Sequence, residues 1–229
     1  MKTIGLIGGM SWESTIPYYS IINEYVKEHL GGFHSAKIAM YSVDFAEIEE
    51  CMSKDDWETG TKILAEAAKN LENMGADYIL ICTNTWHKVQ PQIQAAVTVP
   101  VVHIADATAE ALKKDGVKKV ALLGTKFTMT ENFYKDRLTN SGFDVVIPND
   151  EDVAVVNDVI FNELCLGKIR DESRKAYSRI IENLKAEGAE AVILGCTEIG
   201  LLVDQKDSVL PVYDTTVIHA TSAAELAVQ

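Results

Sequence analysis

The 229-residue sequence contains no apolar run approaching the roughly 18 residues that span a membrane. It also lacks basic charge, since 21 lysines and arginines face 34 acidic residues, for a formal net charge of −13. Nucleic acids and anionic lipids bind surfaces of the opposite sign. Gly8, Gly9 and Trp12 interrupt the N-terminal apolar patch before a signal-peptide core can form. We therefore expect a cytoplasmic protein with no nucleic-acid or membrane partner.

Cysteine pairs are also missing. None of the four cysteines belongs to a CxxC motif, so we expect free thiols rather than a disulfide framework. The glycines of "GLIGGMS" follow an apolar stretch but do not form GxGxxG, which leaves little signal for a dinucleotide. A metal site built from Cys82, His87, Cys196 and His219 is an alternative, although no close ligand pair recurs. We expect neither a cofactor nor a metal.

Short apolar stretches alternate with longer helical patterns, which is typical of an α/β protein with a parallel sheet. Two of the helical patterns end at Gly75 and Gly188, the expected position of a helix C-cap. The apolar stretches predict eight strands, at residues 2–7, 36–43, 77–82, 100–104, 118–124, 143–147, 191–196 and 211–214.

The two halves of the chain resemble each other. "KTIGLIGG" is similar to "KKVALLGT", "GADYILICTNT" to "GAEAVILGCTE", and "VPVV" to "LPVY"; the separations are 116 residues (Gly8 to Gly124), 114 (Cys82 to Cys196) and 111 (Pro100 to Pro211). Matched landmarks in the same order indicate a duplicated domain. We predict two similar three-layer α/β lobes with mostly parallel sheets, related by a pseudo-twofold axis, with the active site in the cleft between them. The predicted lobes are residues 1–98 with 209–229, and residues 99–208.

Both Cys82 and Cys196 are predicted to follow a strand, at the sheet edge where parallel α/β proteins bind ligands. A helix start after each strand would lower the pKa of the thiol and favour a thiolate. Two similar groups on opposite walls of a cleft suit racemisation, in which one removes a proton from a carbon acid and the other donates a proton to the opposite face. Neighbouring donors that could hold a carboxylate are Thr83, Asn84, Thr85, Thr125 and Thr197.

Two other interpretations of the cysteines stay open. Each could be a small core residue, as we expect for Cys51 and Cys165. A nucleophilic cysteine with His87 or His103 as its base is also possible, but it leaves the second thiol without a role.

The motifs "GLIGGM", "CTNTWH", "LLGT" and "GCTEIG", in this order and spacing, resemble the aspartate/glutamate racemase family, over essentially the whole chain. The segment "GGMSWEST" resembles its bacterial aspartate/glutamate or broad-specificity branch. The resemblance implies two α/β lobes, a pair of catalytic cysteines, no pyridoxal phosphate and a homodimer. Carried onto this sequence, the catalytic pair is Cys82 and Cys196. The implied substrate-binding residues are Met10, Ser11, Thr83, Asn84, Thr85, Thr125, Lys168, Thr197 and Glu198.

Three positions refine the resemblance. Glu198 stands where the glutamate-racemase branch has histidine, which favours the aspartate-type branch. Many relatives read Cys-Asn-Thr, whereas Thr83 here separates Cys82 from Asn84. The segment "SVDFAEIEECMSKDD" lacks the arginine that some aspartate racemases use for the side-chain carboxylate, and Lys168 is assigned to the family lysine with that role.

The sequence thus predicts a cofactor-independent racemase for aspartate, with glutamate as a further substrate. The alternatives are a broad-specificity amino-acid or hydantoin racemase, and a related isomerase or decarboxylase of a small diacid. A small-molecule binding protein whose thiols are inactive is the alternative outside the enzymes.

Overall fold

The computed structural model describes residues 1–229 and contains two four-stranded parallel sheets. The first has the order β2-β1-β3-β4 and the second β6-β5-β7-β8. Their strands are β1 (Thr3–Gly8), β2 (Lys37–Ser42), β3 (Tyr78–Ile81), β4 (Val101–Val102), β5 (Lys119–Gly124), β6 (Asp144–Val146), β7 (Ala191–Gly195) and β8 (Val212–Asp214). All eight predicted strands are confirmed. The strands of the two sheets follow one another in the same order, which supports the predicted duplication.

Ten α-helices connect and cover the strands. They are α1 (Trp12–Leu30), α2 (Phe45–Ser53), α3 (Trp57–Asn73), α4 (Gln90–Gln94), α5 (Ile104–Lys114), α6 (Lys126–Thr130), α7 (Asn132–Asn140), α8 (Asp150–Asn162), α9 (Asp171–Ala186) and α10 (Thr215–Val228). Short 3-10 helices lie at Thr85–Val89, Leu164–Leu166, Ile199–Leu201 and Gln205–Asp207. No helix is long and apolar enough to cross a membrane.

Both faces of the first sheet are covered. Leu6 and Leu80 pack in one apolar cluster with Tyr18 of α1 and Ala224 of α10. Because side chains alternate along a strand, the next residues point to the opposite face, which α3 contacts. Ile81 on that face is fully buried. The three-layer lobe predicted from the sequence is therefore confirmed here.

The second sheet has the same alternation. Leu123 of β5 and Leu194 of β7 share a cluster with Val156 of α8 and Ile180 of α9. Leu122, on the other face of β5, is also fully buried. Burial on both faces explains why these strands read as continuous apolar runs rather than as alternating patterns.

The two predicted helix ends occur at equivalent places. Gly75 follows α3 with φ of 85°, and Gly188 follows α9 with φ of 93°. The N–H of Ala76 donates to the Leu71 carbonyl at 3.1 Å, and a similar 3.1 Å bond joins the N–H of Ala189 to the Leu184 carbonyl. Glycine fits this left-handed conformation because it has no Cβ. Gly75 and Gly188 therefore occupy the same position in their repeats.

The chain divides into two compact units, residues 1–104 with 219–229 and residues 105–218. The predicted division at 98/99 and 208/209 puts β4 with the second lobe and β8 with the first. The ladders place them the other way round, because Val101 pairs with Ile79 of β3 and Tyr213 pairs with Ile193 of β7. The chain leaves each sheet only after its fourth strand.

Gly60 of α3 gives a prediction about stability. A Cβ built on Gly60 would overlap the ring of Trp86, which is fully buried and lies 5.0 Å from Trp57 between ring centroids. Overpacking of this kind costs about 1–3 kcal/mol, against a helix-propensity gain of about 1 kcal/mol. We expect Gly60→Ala to lower the free energy of unfolding in urea. The exposed substitution Lys69→Ala should change it by less than about 0.5 kcal/mol; an equal or greater stability of Gly60→Ala would contradict this packing.

Candidate active site

The carboxyl edge of the first sheet gathers six of the predicted site residues on two neighbouring loops. Ile7 pairs with Ile81, and the N–H of Cys82 donates to the Ile7 carbonyl at 2.9 Å. The loop after β1 and the loop after β3 therefore start side by side. They carry Met10 and Ser11, and Cys82, Thr83, Asn84 and Thr85, all of which are buried.

The first loop is held by the start of α1. The Ser11 side chain caps this helix by accepting from the N–H of Ser14 at 3.4 Å. The Thr15 hydroxyl donates to the Ser11 carbonyl at 2.8 Å and accepts from the N–H of Gly9 at 2.9 Å. These bonds fix the backbone that the resemblance assigns to the substrate carboxylate.

The second sheet gathers the other group of predicted residues. Gly124 pairs with Gly195, so Thr125 and Cys196 follow neighbouring strands. The Glu198 carboxylate accepts two hydrogen bonds at one oxygen, from the Cys196 thiol with an S–O distance of 3.0 Å and from the Thr197 hydroxyl at 2.9 Å. The predicted site residues here are all buried, namely Thr125, Cys196, Thr197 and Glu198. The edge thus holds a thiol and a carboxylate in direct contact.

Lys168 differs from this polar group in its exposure to solvent. It is exposed and follows the 3-10 helix Leu164–Leu166, and its N–H donates to the Glu163 carbonyl at 2.9 Å. That Lys168 binds the side-chain carboxylate of the substrate stays a prediction.

The two repeats align differently from the sequence comparison. Asp77 donates its N–H to the Thr3 carbonyl at 2.8 Å and accepts from the N–H of Thr3 at 2.6 Å. Glu190 makes the same pair of bonds with Lys119, at 2.9 and 3.3 Å. Asp77 and Glu190 are therefore equivalent, and the strand registers agree, since Ile4 pairs with Tyr78 as Val120 pairs with Ala191.

This register corrects the predicted equivalence of the two thiols. The fifth residue after Asp77 is Cys82, whereas the fifth after Glu190 is Gly195. The residue equivalent to Cys196 is Thr83. The offset of 114 residues taken from the two cysteines is one more than the 113 that separates Asp77 from Glu190.

Side-chain packing agrees with the register. Cys82 is completely buried in the cluster that α1 and α10 form with the first sheet. Cys196 packs in the cluster that includes α9, and α9 is the counterpart of α3 on the opposite face of the first sheet. Because side chains alternate, Thr83 points toward the layer that corresponds to that of Cys196. Thr83 is also less enclosed than Cys82, with 9% of its surface exposed.

The prediction that helix starts lower the pKa of both thiols is wrong. Burial raises the pKa of Cys82, and burial together with the nearby Glu198 charge raises the pKa of Cys196. Each thiol precedes a short 3-10 helix instead of a long α-helix. A few peptide dipoles cannot offset the loss of water around a thiolate.

Buried histidines lie beside the turn that carries Thr83. His87 donates from Nδ1 to the Thr83 carbonyl at 2.7 Å and accepts at Nε2 from the N–H of Ile104 at 3.2 Å. These partners fix a neutral ring with its proton on Nδ1. The rings of His103 and His219 lie 4.4 and 5.8 Å from the ring of His87. Histidines inside apolar stretches were the sequence signal for this cluster.

His219 is neutral for a similar reason. Its Nε2 donates to the Val102 carbonyl at 3.2 Å, and its Nδ1 accepts from the Tyr18 hydroxyl at 3.0 Å. Burial lowers the pKa of His219 to about 3. Protonation would therefore oppose the folded state.

We expect His219 to make the free energy of unfolding decrease as the solution becomes more acidic. Its pKa is lower in the folded chain than in the unfolded one, so its contribution is complete above about pH 6.5 and is lost as the pH falls toward 3, by up to about 1.4 kcal/mol per pH unit. Urea unfolding of the unsubstituted protein and His219→Gln at about pH 7 and pH 5 measures this effect. The variant should show the smaller drop, and His34→Gln, at an exposed position, should behave as the unsubstituted protein. Equal drops in all three would contradict the assignment.

Comparisons with known proteins identify the family to which the chain is similar. A model of the "Asp/Glu/Hydantoin racemase" family matches residues 7–223. The crystal structure of a Yersinia pestis protein described as a candidate Asp/Glu racemase is similar at 54% identity, with a TM-score of 0.93 and 100% of both chains covered. An aspartate racemase homologue from Pyrococcus horikoshii is 42% identical, with a TM-score of 0.86 over 100% of both chains.

A third relative is similar in sequence. The broad specificity amino-acid racemase RacX of Bacillus subtilis is 26% identical over 227 residues, which cover 96% of this chain and 95% of RacX. The family match at residues 7–223 includes both cysteine motifs and all the strands except the first residues of β1. The chain belongs to the Asp/Glu/hydantoin racemase family.

Proposed function

We propose that the protein is a cofactor-independent racemase that interconverts L- and D-aspartate, with glutamate as a further substrate. The observation that carries this proposal is the pair of proton-carrying side chains at one register position of the two repeats, Thr83 and Cys196. The similarity to the aspartate racemase homologue of Pyrococcus horikoshii supports the choice of substrate. The similarity to RacX supports a broader amino-acid racemase as the second candidate.

In the proposed reaction, one group acts on each face of the α-carbon. Cys196, as thiolate, removes the α-proton from one enantiomer. The negative charge spreads into the α-carboxylate, which Ser11, Asn84, Thr85, Thr125 and Thr197 are proposed to hold by hydrogen bonds. The group on the other face then donates a proton to the carbanion, which gives the opposite enantiomer.

The second group differs from the sequence prediction. The predicted partner of Cys196 was Cys82, which is fully enclosed among apolar side chains. We assign the role instead to the Thr83 hydroxyl, which occupies the equivalent position. A hydroxyl carries protons less readily than a thiol near neutral pH, because its pKa lies far higher. The two half-reactions are therefore unequal.

This inequality has a measurable consequence. Because L- and D-aspartate have equal free energies, inversion must have the same kcat/KM in both directions. Exchange of the α-hydrogen has no such constraint. A carbanion formed by Cys196 is reprotonated by Cys196 more often than by Thr83, so one enantiomer should exchange with retention faster than it inverts.

The test is incubation of pyridoxal-free, metal-free protein with L-aspartate and separately D-aspartate in D₂O. Proton NMR follows α-deuteration, and chiral chromatography follows inversion. We expect inversion of both enantiomers and excess exchange for one of them. If aspartate shows neither, a screen of glutamate, neutral amino acids and hydantoins distinguishes a broader racemase from a binding protein, which would be stabilised by a ligand without exchanging its hydrogen.

The predicted homodimer stays a prediction. Trp12, Ile16 and Tyr19 of α1 lie with Met40 of β2 around an apolar cavity of about 260 Å³ and are exposed. Apolar surfaces of this kind are often covered by another subunit. Sedimentation equilibrium measures the oligomeric state directly.

A further inference from the structure

The contact between Cys196 and Glu198 raises a question about the proposed reaction. Cys196 must lose its proton before it can remove one from a substrate. Its burial and the Glu198 charge raise the pKa of the thiol, so little thiolate is present near neutral pH. Some group must therefore take the thiol proton at the time of reaction.

The structure offers one acceptor at hydrogen-bond distance of the sulfur. The Cys196 Sγ lies 3.0 Å from the Glu198 Oε2, and this residue is 2% exposed. The Thr197 hydroxyl, bonded to the same oxygen at 2.9 Å, fixes the carboxylate in place. A proton moving from sulfur to oxygen would travel along an existing hydrogen bond.

We propose that Glu198 is a positioning and proton-accepting partner of Cys196, which takes the thiol proton before the thiolate removes the α-proton of the substrate. This inference rests on the proposed function. It assigns Glu198 a role different from the substrate binding implied by the family resemblance. An ionised carboxylate would repel the α-carboxylate of an amino acid, whereas a thiol is a suitable donor to it.

Protons balance whichever of the two side chains reprotonates the carbanion. The thiol proton passes to the Glu198 Oε2, and the resulting thiolate takes the α-proton, which leaves a neutral thiol, a neutral Glu198 and the carbanion. When Cys196 reprotonates the same face, Glu198 returns its proton to the sulfur. When Thr83 reprotonates the other face, Glu198 releases its proton to solvent and Thr83 recovers one from solvent. No electrons are transferred to or from the protein.

The experiment measures the thiol separately from the reaction. Thiolate formation by Cys196 is followed by ultraviolet absorbance during a pH titration, after subtraction of the same titration of Cys196→Ala. This subtraction removes the absorbance of the thiols and tyrosines whose titration does not depend on Cys196. The same preparations are assayed for deuterium exchange and for inversion of aspartate, and thermal unfolding confirms that each variant is folded.

Glu198→Gln keeps the size of the side chain and removes its charge. We expect its Cys196 titration to move to lower pH by about one unit or more, and its exchange and inversion rates to fall about 100-fold. A more acidic thiol with a slower reaction, in a variant whose thermal unfolding is unchanged, is the distinguishing result, because local loss of structure would also expose and acidify the buried thiol but would lower the unfolding temperature. Glu198→Asp, which keeps the charge at a shorter reach, should keep the high titration while losing activity.

The outcomes separate this inference from the proposed function. Unchanged rates in a folded Glu198→Gln would overturn the proton-accepting role. An unchanged titration would overturn the contact itself. If the unsubstituted protein does not act on aspartate, the proposed substrate fails; the titration still decides whether Glu198 controls the thiol, and the exchange assay is then run with the substrate that the screen identifies.

Discussion

Substitution of Cys196 by serine is expected to reduce both α-hydrogen exchange and inversion of aspartate by about 10² to 10⁴-fold, the range of a positioned acid or base. Serine has nearly the same size but holds its proton much more tightly, so only a much weaker base remains on that face of the substrate. Both assays should fall together, because exchange and inversion begin with the same proton removal. Parallel NMR and chiral chromatography measure the two rates on one sample.

Cys165→Ser is the matched control. Cys165 packs against the same apolar cluster as Cys196 and is half-buried, but it lies on the 3-10 helix Leu164–Leu166, whereas Cys196 directly follows β7. Its substitution should leave both rates within about a factor of two, a change of less than about 0.5 kcal/mol. Retention of more than a tenth of the exchange rate by Cys196→Ser would remove Cys196 from the mechanism.

The second large effect concerns Thr83 and Cys82. Thr83→Ala is expected to lower inversion about 100-fold while exchange at the Cys196 face continues, because only the donor on the opposite face has been removed. Exchange without inversion is a result that general damage to the site would not produce. Cys82→Ala should keep both rates and lose about 1 kcal/mol of stability through the small cavity it leaves.

A double substitution sharpens the comparison. Cys82→Ala with Thr83→Cys moves the thiol by one residue, to the position equivalent to Cys196. We expect inversion to rise above that of the unsubstituted protein and the excess of exchange to shrink, because both faces then have a thiol. The opposite pattern, with inversion lost in Cys82→Ala and kept in Thr83→Ala, would restore the pair of cysteines predicted from the sequence.

The strands could be predicted because their residues are buried on both faces. "KVALLG" and "AVILG" are continuous apolar runs, and such runs in alternation with helical patterns indicate parallel strands. The ends of α3 and α9 could also be predicted, because glycine marks positions of positive φ such as those of Gly75 and Gly188. The lobe boundaries could not be predicted correctly. β4 has only two residues, and whether it belongs to β3 or to the following segment depends on long-range hydrogen bonds that have no local sequence signal.

The candidate site shows a sharper limit. Both motifs contain Cys-Thr, so aligning the two thiols shifted the repeats by one residue. The bonds of Asp77 and Glu190 to neighbouring strands determine the register, and a shift of one residue turns a side chain to the other face of a sheet. The acidity of the thiols could not be predicted either, since it depends on burial and on the contact with Glu198.

The two compact units do not coincide with the two repeats. Helix α5 closes the first repeat, but its residues 105–114 belong to the second unit. Helix α10 closes the second repeat, but its residues from His219 onward belong to the first unit. Each repeat therefore contributes its last helix to the unit built mainly by the other. We expect that neither half folds alone, because each would lack the terminal helix that the other repeat contributes to its unit.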